Sequence, residues 1–236
     1  MTGKNNLQQT RSVEDFLKAV YVLQQQMERV STNALADMLG ISAPSVTDMA
    51  RRMVEAGLVD YRKYYGVLLT PHGEAIALHV IRRHRLIELY LVEQLGYELH
   101  EVHDEAENME HAVSDRFVEA IAARLGDPQV DPHGDPIPAP DGTVHRPQLL
   151  RLTELPDDTP AQVSRFVAEN SEMLQHMLDR DFSLGATVRV VERDPFDGPL
   201  TVEINGTRRT IGHTVADCIL VEFSDDSAAS FDNPDE

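Results

Sequence analysis

Two histidines and several acids lie close together in one short segment, VHDEAENMEH, residues 102–111. If this segment is helical, at about 100° per residue, one face carries four side chains within about 100° of arc, namely His103, Glu107, Glu110 and His111. Two imidazoles and two carboxylates on one helical face are a typical arrangement for binding a divalent metal. The acids also repel one another unless a cation or a basic partner neutralises them. Spacing alone leaves open a salt-bridged face that uses Arg82, Arg83 and Arg85.

A second pair of potential ligands lies upstream, in the segment RRHRLIE. His84 and Glu88 are four residues apart, so on a helix they share a face. On an antiparallel neighbouring helix they would meet His103, one turn before Glu107. These three residues are therefore candidates for a second site, although a histidine beside three arginines is usually a plain surface residue.

The elements that would position these residues begin with three short helices and a hairpin. Residues 13–27 have helical apolar spacing, and STNALADMLG forms a second helix between a Ser31 or Thr32 cap and Gly40. A third helix starts at Ser42 and Pro44 and ends at Gly57. LVDYRKYYGVLLT then predicts two strands turning near residues 65–66. This order is typical of a winged helix-turn-helix, with an all-α packing unit that does not bind DNA as the alternative.

Two long helices follow, at about residues 71–96 and 99–125, and the second carries the histidine- and acid-rich segment. Paired long helices next to a DNA-binding unit commonly form a dimer interface. The Pro-, Gly- and Asp-rich stretch 126–142 predicts a loop or linker. It contains His133, for which turn chemistry is a better explanation than metal binding.

The C-terminal third has the pattern of a small β domain. Strands are predicted in QLLRLTELPDD, ATVRVVERD, PLTVEIN, TRRTIG and ADCILVEF, with a helical AQVSRFVAENSEMLQHMLDRD between the first two. These elements predict a small β-barrel-like domain. The acidic residues 224–236 are expected to be disordered.

Composition narrows the class of protein. The chain has 236 residues, 42% of them hydrophobic and 26% charged, as in soluble globular proteins. No apolar run reaches the ~20 residues of a membrane span, and the single cysteine, Cys218, fits a reducing compartment. We therefore expect a cytoplasmic protein.

The net charge of -19 is unevenly distributed. Residues 1–70 hold 8 Lys and Arg against 7 Asp and Glu, whereas residues 71–150 hold 6 against 15 and residues 151–236 hold 7 against 18. The N-terminal third is therefore electrostatically distinct from the rest. A local basic face matters more for DNA binding than the global sum.

Three segments lie between the winged-helix pattern and the small β domain, namely HRLIE, VHDEAENMEHAVSD and DPHGDPIP. In this order, the chain resembles the diphtheria-toxin-repressor family of metal-dependent transcriptional regulators. The likeness runs over residues 11–223. It implies a mainly α fold with small β parts. Its domains would be a winged helix-turn-helix at 1–70, a helical dimerisation and metal-binding domain with a Pro-rich linker at 71–147, and an SH3-like, FeoA-like β-barrel at 148–223. The resemblance also implies a homodimer on double-stranded operator DNA. It implies no enzyme activity, no small-molecule substrate and no membrane partner.

The resemblance implies two metal sites. The primary site would use Asp15, Glu107, Glu110 and His111, and the ancillary site would use His84, Glu88 and His103 with Glu169 and Glu172 from the third domain. Iron-responsive members carry sulfur residues at the positions of Asp15 and Glu107, whereas manganese-responsive members carry Asp and Glu.

An oxygen-rich ligand set suits Mn²⁺ better than softer metals, so Mn²⁺ is the expected cofactor, with Fe²⁺ as a second response. Zn²⁺ or Cd²⁺ are expected to substitute in vitro. Two-domain manganese regulators have a Glu one turn after the first-helix Asp, where this chain has Lys18. We therefore expect separated sites in place of a closely spaced binuclear centre.

The resemblance also indicates the DNA-contacting residues. The third helix would present a set of small and polar side chains at its start, namely Ser42, Pro44, Ser45, Thr47 and Asp48. The expected phosphate partners are Arg51, Arg52, Arg62 and Lys63. Because the helix starts without Arg or Asn, DNA shape and half-site spacing are expected to carry much of the specificity.

The expected function is therefore a Mn²⁺-dependent repressor of metal-uptake genes. An Fe²⁺-responsive regulator of the same family is the first alternative. A metalloenzyme using the same His/Glu cluster is a further alternative, and it would need an open coordination position and a base near a pocket. The last alternative is a winged-helix regulator that senses a small molecule, in which the acids of residues 102–111 are exposed to solvent and bind no metal.

Overall fold

A computed structural model of the chain describes residues 11–168 and 170–223. The helices are α1 (Arg11–Leu23), α2 (Thr32–Leu39), α3 (Ala43–Glu55), α4 (Pro71–Leu95), α5 (Val102–Met109), α6 (Asp115–Arg124), α7 (Ser171–Leu178) and α8 (His213–Asp217). The strands are β1 (Val59–Arg62), β2 (Gly66–Leu69), β3 (Leu150–Arg151), β4 (Ala161–Phe166), β5 (Thr187–Arg193), β6 (Leu200–Ile204), β7 (Thr207–Ile211) and β8 (Ile219–Phe223). No helix in the described ranges is both long and apolar enough to cross a membrane.

The described chain forms two compact units. The first contains residues 11–87, Ala106–Asp127 and Ile137–Val144, and the second contains Glu88–Glu105, Pro128–Pro136, residues 145–168 and residues 170–223. The division falls inside α4 and inside α5.

In the first unit, three helices precede a two-stranded antiparallel sheet, β1–β2. The Ser31 side chain caps α2 by accepting from Ala34 N–H, and Gly40 ends the helix in the left-handed conformation. Ser42 caps α3 in the same way. These caps confirm the predicted helix boundaries. The apolar faces of the three helices share one core, which includes Phe16, Leu17, Leu35, Val46, Ala50 and Met53.

The turn between β1 and β2 runs through residues 63–65, close to the predicted position. Gly66 has a φ of 105°, and a Cβ there would lie 2.4 Å from the carbonyl oxygen of Val30. Only glycine allows this approach, in which Val30 and Val67 exchange backbone hydrogen bonds.

The predicted long helix at 71–96 is present as α4, but the second predicted helix is two helices. After α5 ends at Met109, the backbone turns through residues 110–114, and Ser114 starts α6 by accepting from Phe117 N–H. Ser114 favours the start of a new helix because its side chain satisfies a backbone N–H that has no partner within that helix. Glu110 and His111 therefore lie just beyond the end of α5 and not in the middle of a long helix.

The second unit holds a six-stranded antiparallel sheet in the order β3-β8-β4-β5-β6-β7. Its core includes Leu155, Val163, Phe166, Phe182, Val190 and Val221. The described strands leave β3 and β7 as edges, so the sheet is open and the predicted closed barrel is wrong. The sequence AQVSRF, predicted as helical, is the strand β4, since it pairs with both β5 and β8 and buries Ala161, Val163 and Phe166. The predicted acidic tail, 224–236, lies outside the described residues.

Candidate metal centres and DNA-binding surface

The predicted DNA-contacting residues lie on α3, on its N-cap and at the β1–β2 turn. All of them are exposed except Thr47, which is half-buried. Several have intramolecular partners, because the Ser42 hydroxyl contacts the Ser45 hydroxyl at 2.8 Å and Thr47 donates to the carbonyl of Ala43. Ser42 thus has a capping role, as the sequence allowed.

A groove between α3 and the β1–β2 turn is lined by Thr47, Arg51, Tyr61, Lys63 and Tyr64, among others. The tyrosines at the tip of the turn were not predicted as contact residues, although Tyr64 is 91% exposed and Lys63 lies 4.9 Å from its ring centre. The signal in the sequence was the pair of aromatic residues beside a turn glycine.

The first metal-ligand cluster consists of Asp15, Glu107, Glu110 and His111, whose ligand atoms all lie within 4.8 Å of one another. Asp15 lies on α1, Glu107 on α5 and the other two in the turn after α5, and all four belong to the first unit. The Nε2 atom of His111 is 2.8 Å from Asp15 Oδ1 and 3.2 Å from Glu110 Oε1. The structure therefore brings the predicted primary ligands together.

These atoms fit a divalent metal. Asp15 Oδ1 and His111 Nε2 are buried and have no partner in hydrogen-bond geometry, and Glu110 is fully buried. Leaving a buried polar atom unsatisfied is costly, and a bound cation would satisfy both atoms at once. Burial raises the pKa of Asp15, with Glu107 and Glu110 adding to the rise while His111 and Arg11 oppose it. A nearby divalent cation would reverse this disfavoured ionisation.

Glu14 holds the opposite edge of the His111 ring. Its Oε2 atom lies 2.6 Å from His111 Nδ1, and both side chains are largely buried. When Nδ1 donates its proton to Glu14, Nε2 presents a lone pair toward Asp15 and Glu110. Metal-ligating histidines are commonly oriented by a carboxylate in this manner. Glu14 has no ligand-type spacing in the sequence, and its adjacency to Asp15 on α1 is the one signal that points to it.

Lys18 contacts the same cluster from α1. Its ammonium donates to Glu107 Oε1 at 2.5 Å and to Glu110 Oε2 and Oε1 at 2.9 and 3.1 Å. It also lies 3.2 Å from Nδ1 of His84. His84 Nδ1 in turn lies 2.5 Å from Glu110 Oε2, so within the first unit this predicted ancillary ligand contacts the primary cluster. Along α4, His84 is one turn before Glu88.

The second unit contains another ligand cluster, formed by Glu88, Asp131 and His133. His133 Nδ1 lies 3.7 Å from Glu88 Oε2 and 3.9 Å from Asp131 Oδ1. On the other Glu88 oxygen, His103 Nδ1 approaches to 3.3 Å. Each carboxylate oxygen of Glu88 thus lies near one histidine nitrogen.

The DPHGDP loop has a local reason for its shape. Asp131 Oδ1 accepts from the backbone N–H groups of His133 and Asp135, which is an Asx-type turn. The carbonyl of His133 accepts from Phe166 N–H of β4, and Gly134, at a φ of 87°, passes so close that a Cβ would lie 2.1 Å from a β4 carbonyl oxygen. Turn chemistry therefore explains the loop, as expected, and the same loop also carries His133 to Glu88.

The pKa of His133 reflects this setting. Burial alone would lower it, but the hydrogen bond and the charge of Glu88, with the charges of Asp131 and Asp135, outweigh burial and raise it above its ordinary value of 6.5. The loop therefore holds His133 in a strongly acidic environment, which also favours a bound cation.

Comparison with known proteins matches three family models along the chain. They are the iron dependent repressor, N-terminal DNA binding domain at residues 8–67, the iron dependent repressor, metal binding and dimerisation domain at 70–139, and the FeoA domain at 150–223. The iron-dependent repressor IdeR of Mycobacterium leprae is 30% identical over 223 residues, covering 89% of this chain and 96% of the relative. The chain belongs to the diphtheria-toxin-repressor family of metal-dependent transcriptional repressors.

Solved structures agree with this membership. A manganese-dependent transcriptional repressor in complex with manganese is 40% identical with a TM-score of 0.83, covering 90% of this chain and all of that one. ScaR with bound Zn²⁺ is 32% identical with a TM-score of 0.75, covering 90% of this chain and 99% of that one. As a member of this family, the chain is a repressor and not an enzyme, so the metalloenzyme alternative is excluded.

The two ligands that the resemblance implies from the third domain, Glu169 and Glu172, do not belong to any ligand cluster found among the described residues. Glu169 lies outside the described part of the chain. Glu172 lies in the first turn of α7, is exposed, and belongs to no cluster of potential ligands found among the described residues. The residues that sequence reasoning missed or set aside are Glu14, Asp131 and His133.

Proposed function

We propose that this chain is a Mn²⁺-dependent transcriptional repressor of metal-uptake genes that binds operator DNA as a homodimer. The observation that carries this proposal is the ligand set of the first cluster, three carboxylates and one imidazole without a sulfur atom. Hard oxygen ligands suit Mn²⁺, whereas sulfur ligands suit softer ions. Fe²⁺ is the alternative activator, because the curated relatives include an iron-dependent repressor. The solved manganese-dependent relative, at 40% identity, supports Mn²⁺.

The geometry suggests how metal binding would control the DNA-binding surface. A bound metal would supply a positive charge that lets Asp15 approach Glu107 and Glu110. Asp15 then joins α1 to the turn after α5, while Glu14 keeps His111 Nε2 directed inward. Because α1 packs with α2 and α3 in one core, fixing α1 also fixes the exposed start of α3. The metal-bound arrangement would be selected to the extent that metal binds it more tightly.

On DNA, each part of the predicted surface has a separate role. The start of α3 would enter a major groove, where Pro44 and Thr47 contact thymine methyl groups and the hydroxyl groups reach base edges or phosphates. Arg51, Arg52 and Lys63 would bind phosphates and so give affinity without sequence preference.

A second site is proposed around Glu88 and His103. In the second unit the support comes from Asp131 and His133, which approach Glu88 from the loop. His84, one turn before Glu88, remains a proposed ligand. Glu169 and Glu172 remain proposed donors from the third domain.

The test compares wild type with Glu110→Gln, which keeps the size of the side chain but removes the charge. Glu105→Gln is the matched control, since Glu105 is an exposed acid on α5 outside the cluster. Operator fragments would first be selected with Mn²⁺-loaded wild-type protein, and binding then followed by fluorescence anisotropy. We expect Glu110→Gln to lose Mn²⁺-dependent DNA binding while sedimentation still reports a dimer. Unchanged metal-dependent binding by Glu110→Gln would refute the proposal.

A further inference from the structure

The turn between β1 and β2, residues 63–65, holds an aromatic residue in an unfavourable backbone conformation. Tyr64 has a φ of 71°, in the left-handed region, where a bulky side chain is disfavoured. Seven non-glycine residues of the described chain have a positive φ, and five of them are Asp or Asn, which tolerate this region. The other two are Tyr64 and Phe196. At both positions the residue type costs stability.

The side chain of Tyr64 does not repay this cost within the folded chain. The residue is 91% exposed, so its ring buries almost no surface in the core of the first unit. The ring contacts the ammonium of Lys63, 4.9 Å from its centre. A cation–π contact at an exposed site stabilises by no more than a left-handed backbone costs. Strain that brings no gain in the fold is typical of a residue that acts in binding.

The base of the β1–β2 hairpin is firmly held. The guanidinium of Arg29 donates to Asp60 Oδ2 and to the Asp60 carbonyl oxygen at 3.0 Å, and to the Gly66 carbonyl oxygen at 3.4 Å. Val30 and Val67 exchange backbone hydrogen bonds next to these contacts. Both strands are thereby joined to the segment before α2. The turn that carries Tyr64 is therefore positioned in advance, which lowers the entropy cost of binding.

Tyr64 and α3 line the same groove. The helix contributes Thr47 and Arg51, and the hairpin contributes Lys63 and Tyr64. One acid, Glu55, also lines the groove, against these two cations. A strand of phosphates fits between the cations of Arg51 and Lys63. When the start of α3 occupies a major groove, the strand between helix and hairpin borders the adjacent minor groove, and Tyr64 lies on that side.

We propose that Tyr64 is a specificity-determining residue whose ring packs between the sugars of the minor groove beside the major groove that α3 reads. The inference rests on the proposed function, which supplies the position of α3 on DNA. An uncharged ring gains most where the groove is narrow enough for sugars to contact both of its faces. Minor grooves rich in A·T pairs are narrow, whereas the N2 amino group of guanine projects into the groove. Tyr64 therefore selects A·T pairs through groove shape, without contacting the major-groove edge of a base.

The experiment changes the minor groove and the ring separately. Operator fragments selected with Mn²⁺-loaded wild type would be altered at each flanking position from A·T to G·C or to inosine·C, and binding followed by fluorescence anisotropy at several salt concentrations. Inosine lacks the N2 amino group, so inosine·C has the minor groove of A·T with the major groove of G·C. The variants are Tyr64→Phe, which keeps the ring, and Tyr64→Asn, which removes it and tolerates a positive φ.

Two further variants are controls. Tyr65→Asn removes a 74% exposed aromatic residue from the same turn, at a position that does not line the groove. Phe196→Asn removes a 99% exposed aromatic residue with a φ of 61° from the second unit. The first control tests the position of the ring, and the second tests the relief of backbone strain. Thermal unfolding of each variant reports its stability.

At the hairpin-facing positions we expect wild type, Tyr64→Phe and both controls to bind A·T and inosine·C fragments about 5- to 10-fold more tightly than G·C fragments. Tyr64→Asn should lose this preference and keep the slope of log affinity against log salt, because no charge is removed. Its Tm should equal or exceed that of wild type.

The inference is overturned if Tyr64→Asn keeps the preference, or if it loses affinity equally on all three kinds of fragment. A clearly lower Tm for Tyr64→Asn would also overturn it, because the ring would then stabilise the fold. Wild type that shows no Mn²⁺-dependent binding to any fragment would refute the proposed function, and the inference with it.

Discussion

Glu14 should determine how tightly the first cluster binds metal, although it is not itself a ligand. Its Oε2 atom is 2.6 Å from His111 Nδ1, and the two side chains are only 13% and 10% exposed. A charge-assisted hydrogen bond of this length fixes the ring and the tautomer. Replacing Glu14 with Gln keeps the shape but removes the charge and allows the amide to present the wrong group to Nδ1. Loss of such an orienting partner typically costs roughly 10- to 100-fold in metal affinity.

That loss corresponds to about 1.4 to 2.8 kcal/mol of binding free energy. The assay is a Mn²⁺ titration followed by electron paramagnetic resonance, with Glu28→Gln as the control, since Glu28 is an exposed acid beyond the end of α1. Glu14→Asp should recover part of the affinity. Nitrogen-15 shifts of His111 should report a loss of the Nδ1-protonated form in Glu14→Gln. A Mn²⁺ affinity within about twofold of wild type, with His111 shifts unchanged, would refute the orienting role.

Three further predictions concern other parts of the chain. The pKa of His133 is raised in the folded protein, so the stability that the protonated ring contributes is present below pH 6.5 and is lost as pH rises through the raised value. Glu88→Gln should lower the pKa of His133 in an NMR titration, and an unchanged titration would contradict the assigned cause. Gly134→Ala should destabilise the second unit by about 1–3 kcal/mol or more in denaturant unfolding, since the new Cβ would meet a β4 carbonyl oxygen. Gly185→Ala should cost less, because Gly185 has a similar φ but open space around it. Equal losses of stability would show that the close approach at Gly134 is unimportant. Lys63→Gln should weaken binding to all DNA sequences and reduce the slope of log affinity against log salt by about 1; a loss confined to one base position would contradict a phosphate contact.

Local signals made the first unit predictable. Ser31, Gly40 and Ser42 mark helix ends because each satisfies backbone groups that the helix leaves without partners, and such rules depend only on neighbouring residues. The hairpin turn near Gly66 was predictable for a similar reason. By contrast, the sequence predicts a helix where β4 lies, because apolar spacing over six residues does not distinguish a helix from a strand and the pairing partners of β4 lie far along the chain.

The candidate site was partly predictable. Helical angles grouped Glu107, Glu110 and His111 correctly even though the helix ends at Met109, since the first turn beyond it keeps a helical hydrogen bond from Glu110 N–H to Ala106. The angles could not separate His103, which contacts Glu88 in the second unit. The contacts of Glu14 and His133 depend on tertiary structure. No spacing rule brings a loop histidine to a helix 45 residues earlier in the chain.

We propose that Mn²⁺, bound by carboxylates at the first cluster, controls DNA binding. The most direct measurement is an operator-binding titration across Mn²⁺, Fe²⁺ and Zn²⁺ for wild type and for the double variant Asp15→Met, Glu107→Cys. We expect Mn²⁺-dependent binding by wild type. In the variant, the Mn²⁺ concentration required should rise by at least about tenfold, or 1.4 kcal/mol, while the response to Fe²⁺ or Zn²⁺ is kept. A variant that responds to Mn²⁺ as wild type does, or a wild type that binds the operator equally well without metal, would contradict this proposal.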